Sequence, residues 1–234
     1  MIEVVVVKLS DNLPFQYDYL KYVSYERRNR ILKYVKEADK KRSLMSELLI
    51  IMELSNKLGM SREKVNISYN PYGKPYIANQ RNFHFNISHS GSYVVIATSR
   101  YKIGVDIERN TKIDISIAKN IFTQNEYQYI DSFRTEDDRI CAFYNLWTLK
   151  ESYVKALGKG LKIPFNAFEF VIDKEIRLKH DKKRKKFLFS SIQLCNYTLA
   201  LSYQENDITF TYLKEIDIYN YFMNMVQNKE CLNN

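Results

Sequence analysis

The order of elements along this chain constrains its fold more than any single residue does. Residues 2–9 read as a strand, and helical, basic sequence follows from about 14 to 36. A longer helix spans about 38–58, where Leu44, Leu48, Ile51 and Leu58 share one stripe and Gly59 ends it as a C-cap. YNPYGKPY (69–76) is turn chemistry, and strands follow at about 83–88, 93–99 and 102–108. The order then recurs. Strand 102–108 leads into short helices near 114–121 and 124–132 and a long helix at about 136–157. Strands are expected near 167–173, 176–179, 186–194, 197–204 and 208–213, and a helical tail near 215–227. Strand, short helices, long helix, loop, strands occurs twice. The pattern predicts an α+β fold of two similar halves, 1–101 and 102–234, sharing a cleft. No Gly-, Ser- or Pro-rich linker divides them, so they should pack as one unit.

The second long helix carries charges in the wrong place for a plain core helix. At about 100° per residue, Phe143, Leu146, Leu149, Tyr153, Val154 and Leu157 form one broad apolar arc. Lys150 falls near its middle. Glu151 stands at its edge one turn past Trp147, and Lys155 one turn past Glu151.

Other short stretches could carry chemistry. In IGVDIE (103–108), strand alternation puts Asp106 and Glu108 on one face, about 6.5–7 Å apart at the backbone. They either face water or grip one hard cation, and Glu151 could add a third carboxylate. NISHSGSY (86–93) ends a strand in a Ser-His-Ser-Gly turn. It reads either as an exposed hairpin turn or as an anion nest helped by Ser88, His89 and Ser90. Lys74 sits on a turn stiffened by Pro75, as a surface residue or a phosphate contact. GKGL (158–161) lacks the spacing of a P-loop, and Gly158 is expected to end the helix. His84 and His180 read as a strand-surface and a turn residue.

Charge enters where partners are concerned. The 36 Lys and Arg outnumber the 27 Asp and Glu for a net charge of +9, which suits an acidic partner. Much of the excess lies in KHDKKRKK (179–186), read as a solvated hairpin tip. No RNA-binding signature or zinc finger is present, and no apolar run nears the roughly 20 residues that span a bilayer. The start lacks signal-peptide features. Cys141, Cys195 and Cys231 form no disulfide framework or zinc spacing, so a reducing cytoplasm fits best.

It is the combination that is specific. YGKP, then ISHSG, then Gly104-Val105-Asp106-Ile107-Glu108, then Trp147-Thr148-Leu149-Lys150-Glu151-Ser152-Tyr153-Val154-Lys155 resembles the 4′-phosphopantetheinyl transferases, specifically the longer bacterial, surfactin-synthetase-activating type. The likeness covers roughly residues 24–165.

Such enzymes move the phosphopantetheine arm of coenzyme A to a serine of an apo carrier protein, usually acidic, and release 3′,5′-ADP. The resemblance implies a pseudo-dimer of two halves with coenzyme A between them. It implies Asp106, Glu108 and Glu151 as ligands of Mg²⁺ (or Mn²⁺), and Ser88, His89 and Lys74 at the coenzyme A phosphates and nucleotide. Arg42 matches a basic residue at the 3′-phosphate, and Arg27 and Arg30 fall near that site. Lys155 would meet the leaving phosphate, and Lys150, part of the same signature, counts among the cofactor-side residues. Glu151 is the expected general base, with Glu126 acting through a water as the alternative. Two halves in one chain imply a monomer, with neither nucleic acid nor membrane as partner. The competing readings are another Mg²⁺-dependent enzyme of a nucleotide diphosphate and a basic nucleic-acid-binding protein.

Overall fold

The computed structural model describes residues 1–61, 65–78, 80–179 and 187–232, with the backbone alone at 161 and 225–232. The chain opens with β1 (Ile2–Lys8), then α1 (Tyr25–Leu32) and α2 (Glu37–Leu58). A small hairpin, β2 (Ile67–Tyr69) and β3 (Pro75–Ile77), precedes β4 (His84–Ser90) and β5 (Tyr93–Ser99). The second half begins with β6 (Gly104–Arg109), followed by α3 (Ala118–Ile121), α4 (Gln124–Asp131) and α5 (Glu136–Leu157). It ends with the hairpin β7 (Phe170–Ile172) and β8 (Ile176–Leu178), then β9 (Leu188–Leu194), β10 (Tyr197–Tyr203), β11 (Ile208–Lys214) and α6 (Glu215–Leu232).

Four layers result: α2, a sheet ordered β11-β1-β5-β4, a sheet ordered β6-β10-β9, and α5. The valine run of β1 shows why the middle is dry. Alternation sends Val5 and Val7 with Val94 and Ile96 toward Leu44, Leu48 and Met45 of α2. It sends Val4 and Val6 with Val95 and Ala97 toward Val105, Ile107, Leu199 and Leu201 of the second sheet. A strand buried on both faces reads as a continuous apolar run, and this one does. Behind the second sheet, Phe143, Leu146, Leu149 and Val154 of α5 close a third core with Phe122, Ile130, Phe165 and Phe170.

Element order, both long helices and their glycine caps match the sequence reading. Gly59 and Gly158 both adopt left-handed φ as C-caps. The YNPYGKPY stretch is more than a turn, because its flanks pair as β2 and β3. The two halves are also less separate than their sequence suggests. β11 runs parallel to β1, in register from Ile2 with Ile208 to Lys8 with Lys214, and α6 packs Ile218, Tyr219 and Phe222 into the first core. Residues 208–232 therefore fold with the first half. Apolar alternation could not reveal this, because it marks a face and not a neighbour.

Cys141 and Cys195 are exposed free thiols. Of the basic run 179–186, all but Lys179, His180 included, lies outside the described residues. Among the described residues no helix is long and apolar enough to cross a membrane.

Candidate active site

The two halves meet along β4 and β6, and the meeting is made by side chains. Asn86, Ser88 and Ser90 alternate along β4 on the face toward β6. Asn86 Oδ1 accepts the Val105 N–H at 2.8 Å, Ser88 Oγ the Ile107 N–H at 3.3 Å, and Ser90 Oγ the Arg109 N–H at 3.1 Å. These rungs satisfy the edge of β6 that β10 does not pair, since β10 occupies only its other side. The same two serines donate onward: Ser88 to Asp106 Oδ1 and Ser90 to Glu108 Oε2, each at 2.8 Å.

On its other face β6 meets α5 at very short range, and Gly104 permits it. A Cβ there would overlap the Ser152 carbonyl oxygen and lie 2.6 Å from the Ala156 nitrogen. This approach brings the acids of β6 beside the charged edge of α5. Lys155 Nζ donates to Asp106 Oδ1 at 2.6 Å and to Ser88 Oγ at 3.1 Å.

A cavity of about 460 Å³ opens over this seam. Asp106, Glu108, Glu151, Lys155, Trp147, Ser88 and His89 line it together with Arg27, Arg30 and residues of α2. The three sequence-predicted carboxylates thus share one cavity with Lys155. Burial pushes the Glu108 carboxyl up, and the charge of Asp106 pushes it further. Burial also raises Glu151; Lys155 offsets part of that and Asp106 adds to it. Asp106 Oδ2 is buried with no hydrogen-bond donor among the described residues. Among those residues, no three His, Cys, Asp or Glu side chains are gathered closely enough to hold a metal ion as they are placed. The donor set nevertheless fits a hard cation: three carboxylates facing one space, one with an unsatisfied buried oxygen. His89 keeps an exposed side chain on the cavity wall; partial desolvation there, then Arg42 and Lys155, holds its pKa below the ordinary 6.5. It is therefore neutral at pH 7, with one ring N–H to donate.

Four predicted residues have other duties. Glu126 does not reach the cavity. It is 2% exposed and forms a capping box with Thr123. Its Oε1 accepts the Phe170 N–H at 2.7 Å and pairs with Lys150 Nζ at 2.8 Å. A carboxylate so occupied is a structural anchor, not a base reached through water. The T-x-x-E of TQNE was the signal for this cap. Lys150, 0% exposed, also points away from the cofactor side. Its ammonium donates to the carbonyls of Phe165 and Phe168, both at 2.6 Å, and lies 4.3 Å from the Phe168 ring centre. Lys74 Nζ donates to the carbonyls of Ile103 at 2.9 Å and Lys155 at 2.6 Å, so only its neighbours Gly73 and Pro75 line the cavity. Arg42 donates to the Gly91 carbonyl at 2.8 Å and pairs with Asp39, which secures the turn beside His89.

Sequence reasoning missed one wall. Ser43, Ser46, Glu47 and Ile50 of α2 line the cavity at positions i, i+3, i+4 and i+7. The polar members of S-x-x-S-E interrupt an apolar helix much as Lys150 and Glu151 interrupt α5.

Known proteins are similar to this sequence over both halves. Residues 14–101 match the sequence profile described as 4′-phosphopantetheinyl transferase, N-terminal, and residues 102–211 that of the 4′-phosphopantetheinyl transferase superfamily. The 4′-phosphopantetheinyl transferase gsp of Aneurinibacillus migulanus is 41% identical over 170 residues, 72% of this chain and 70% of that protein. The 4′-phosphopantetheinyl transferase ffp of Bacillus subtilis is 35% identical over 159 residues, 68% of this chain and 70% of its own. The 4′-phosphopantetheinyl transferase Sfp of Bacillus subtilis (strain 168) is 34% identical over 150 residues, 64% and 66% of the two chains. Matched in order over both halves, and 41% identical to one relative over 72% of its length, the chain belongs to the 4′-phosphopantetheinyl transferase superfamily.

Proposed function

We propose that this enzyme transfers the 4′-phosphopantetheine arm of coenzyme A to a serine of an apo carrier protein, with Mg²⁺, and releases 3′,5′-ADP. The observation that carries this reading is that Asp106, Glu108, Glu151 and Lys155 line one cavity with Arg27 and Arg30. It pairs a carboxylate cluster suited to a cation with cationic groups suited to phosphates.

Asp106, Glu108 and Glu151 would hold Mg²⁺, for which Mn²⁺ could substitute. The bound ion would supply neutralisation of pyrophosphate charge. The remaining work falls to the chain. His89 offers a ring N–H to the phosphates, and Arg27 and Arg30 offer donors to the distal nucleotide phosphate, while Ser88, whose one hydroxyl proton goes to Asp106, holds that carboxylate in place beside them. Glu151 takes the proton of the carrier serine as its oxygen attacks the phosphorus bearing the arm. The phosphoanhydride bond breaks, and Lys155 steadies the charge gathering on the departing 3′,5′-ADP. The raised pKa of Glu151 suits a base, although only its ionised form can act.

The net charge of +9 suits long-range attraction of an acidic carrier, so transfer should slow as salt rises. A monomer in the cytoplasm accords with this reading.

The test is incubation with coenzyme A, Mg²⁺ and several apo carrier proteins, followed by mass spectrometry. The expected result is a mass gain of one phosphopantetheine arm, lost with EDTA and in Glu151→Gln. No gain on any carrier would overturn the assignment, and near-normal turnover of Glu151→Gln would remove it as the base.

A further inference from the structure

Glu47 is an unusual occupant of an anion-binding wall. It sits on α2 at 4% exposure, among side chains that otherwise build the first core. Burial raises its pKa, and Arg27 and then Arg30 oppose that rise. A carboxylate here repels any phosphate entering the cavity unless it serves something else. What it serves is visible: Glu47 Oε1 forms an ion pair with the Arg27 guanidinium. The Arg27 backbone is fixed as well, because its N–H donates to Ser24 Oγ in the N-cap of α1. Arg27 is thus tethered at both ends, main chain to α1 and guanidinium to α2. Its Nε remains a buried donor with no partner among the described residues. A guanidinium offers donors on more than one edge, so a carboxylate can hold one part while an anion takes another.

We propose that Glu47 is a positioning residue. It holds Arg27 at the cavity wall for the terminal phosphate of the nucleotide, and so sets the preference for coenzyme A over 3′-dephospho-coenzyme A. The proposal rests on the function proposed above. It differs from simple charge balance in sign. As a source of repulsion, Glu47 would weaken coenzyme A binding, and its removal would tighten it. As a tether, its removal frees a long side chain whose ordering the ligand must then bring about itself.

The experiment compares wild type and Glu47→Gln with coenzyme A and with 3′-dephospho-coenzyme A on one carrier. For coenzyme A, KM is expected to rise about tenfold with kcat within about twofold, the pattern of lost ground-state binding worth one charge-assisted hydrogen bond. For the dephospho form, KM should stay within about twofold, since the tethered group has no phosphate to meet. Equal losses on both ligands would show a merely structural role and overturn the proposal. So would an unchanged or lower KM for coenzyme A. Should Glu47→Gln fail to fold, Arg27→Lys keeps the charge without the fork and is expected to show the same selective loss; equal losses there overturn the proposal too. Titration calorimetry of both ligands without carrier reads the same ratio, so an enzyme that bound coenzyme A but modified no carrier would refute the transfer reading and still test the tether.

Discussion

Lys155 Nζ and Asp106 Oδ1 stand 2.6 Å apart within the second half, and Ser88 Oγ, reaching across the seam from the first, is bonded to both. One end of this trio lies on β4, one on β6 and one on α5, so the contact records whether the halves are correctly docked. It also sets the ammonium among the signature acids. Replacing it with a neutral side chain should cost chemistry more than binding. Lys155→Gln is expected to lower kcat about 10²-fold, the scale of removing one preorganised donor to developing charge. Single-turnover rates with saturating coenzyme A check this, and a variant within a few-fold of wild type would refute it.

Gly104 tests the packing beneath that contact. Its Cβ-to-be collides with backbone of α5 at Ser152 and Ala156, which cannot rotate away. Gly104→Ala should therefore push β6 from α5, at a cost of about 1–3 kcal/mol typical of overpacking. Thermal unfolding reads the loss. Activity should fall more than stability alone explains, since Asp106 and Glu108 move with the strand.

The buried pair of Lys150 with Glu126 makes a different prediction. Burial pushes the Lys150 ammonium below its usual pKa, and the charge of Glu126 pulls it back. Removing only the cation leaves a carboxylate stranded in the third core. Lys150→Met is expected to cost about 3–5 kcal/mol in urea unfolding, and Lys150→Met with Glu126→Gln distinctly less. Glu126→Gln alone should weaken the fold yet retain turnover per folded molecule. A selective loss of turnover would restore Glu126 to the chemistry.

Lys74 gives a pH signature. Burial, then Lys102 and Lys155, lowers its pKa from 10.5 to about 8. Between those values the unfolded chain keeps a proton that the folded one has released, so stability rises with pH. From pH 8 to about 9.5 the rise from this group is on the order of 2 kcal/mol. Comparing wild type with Lys74→Met over that range isolates it, because tyrosine ionisation affects both alike. Parallel pH curves for the two proteins would show that Lys74 titrates normally.

Much of the fold is legible in the sequence. Periodicity located α2 and α5 to within a residue or so, and the glycines at 59 and 158 closed them. The acids, Ser88, His89 and Lys155 were expected together from the spacing of their motifs, and all of them line one cavity. What escaped were directions and pairings. Lys150, Lys74 and Arg42 are cations in or near signature motifs, yet each donates to backbone carbonyls that only tertiary structure brings near. Glu47 escaped for the opposite reason: its neighbours made α2 read as core, and its partner Arg27 lies on another helix. β11 was read as a strand of the second half because a sequence pattern does not say which strand will be its neighbour.

That last strand has a consequence for how the protein is made. On the ribosome β1 emerges before β5, which can then pair with it in the register of Glu3 with Thr98. The other edge of β1 has to wait until Ile208 and the residues after it have been made. Until then an almost unbroken valine strand presents one open edge, the kind of surface that invites pairing with a stranger. The nascent chain is therefore exposed to misassembly along that edge until β11 is made, and completion of this sheet waits for that strand.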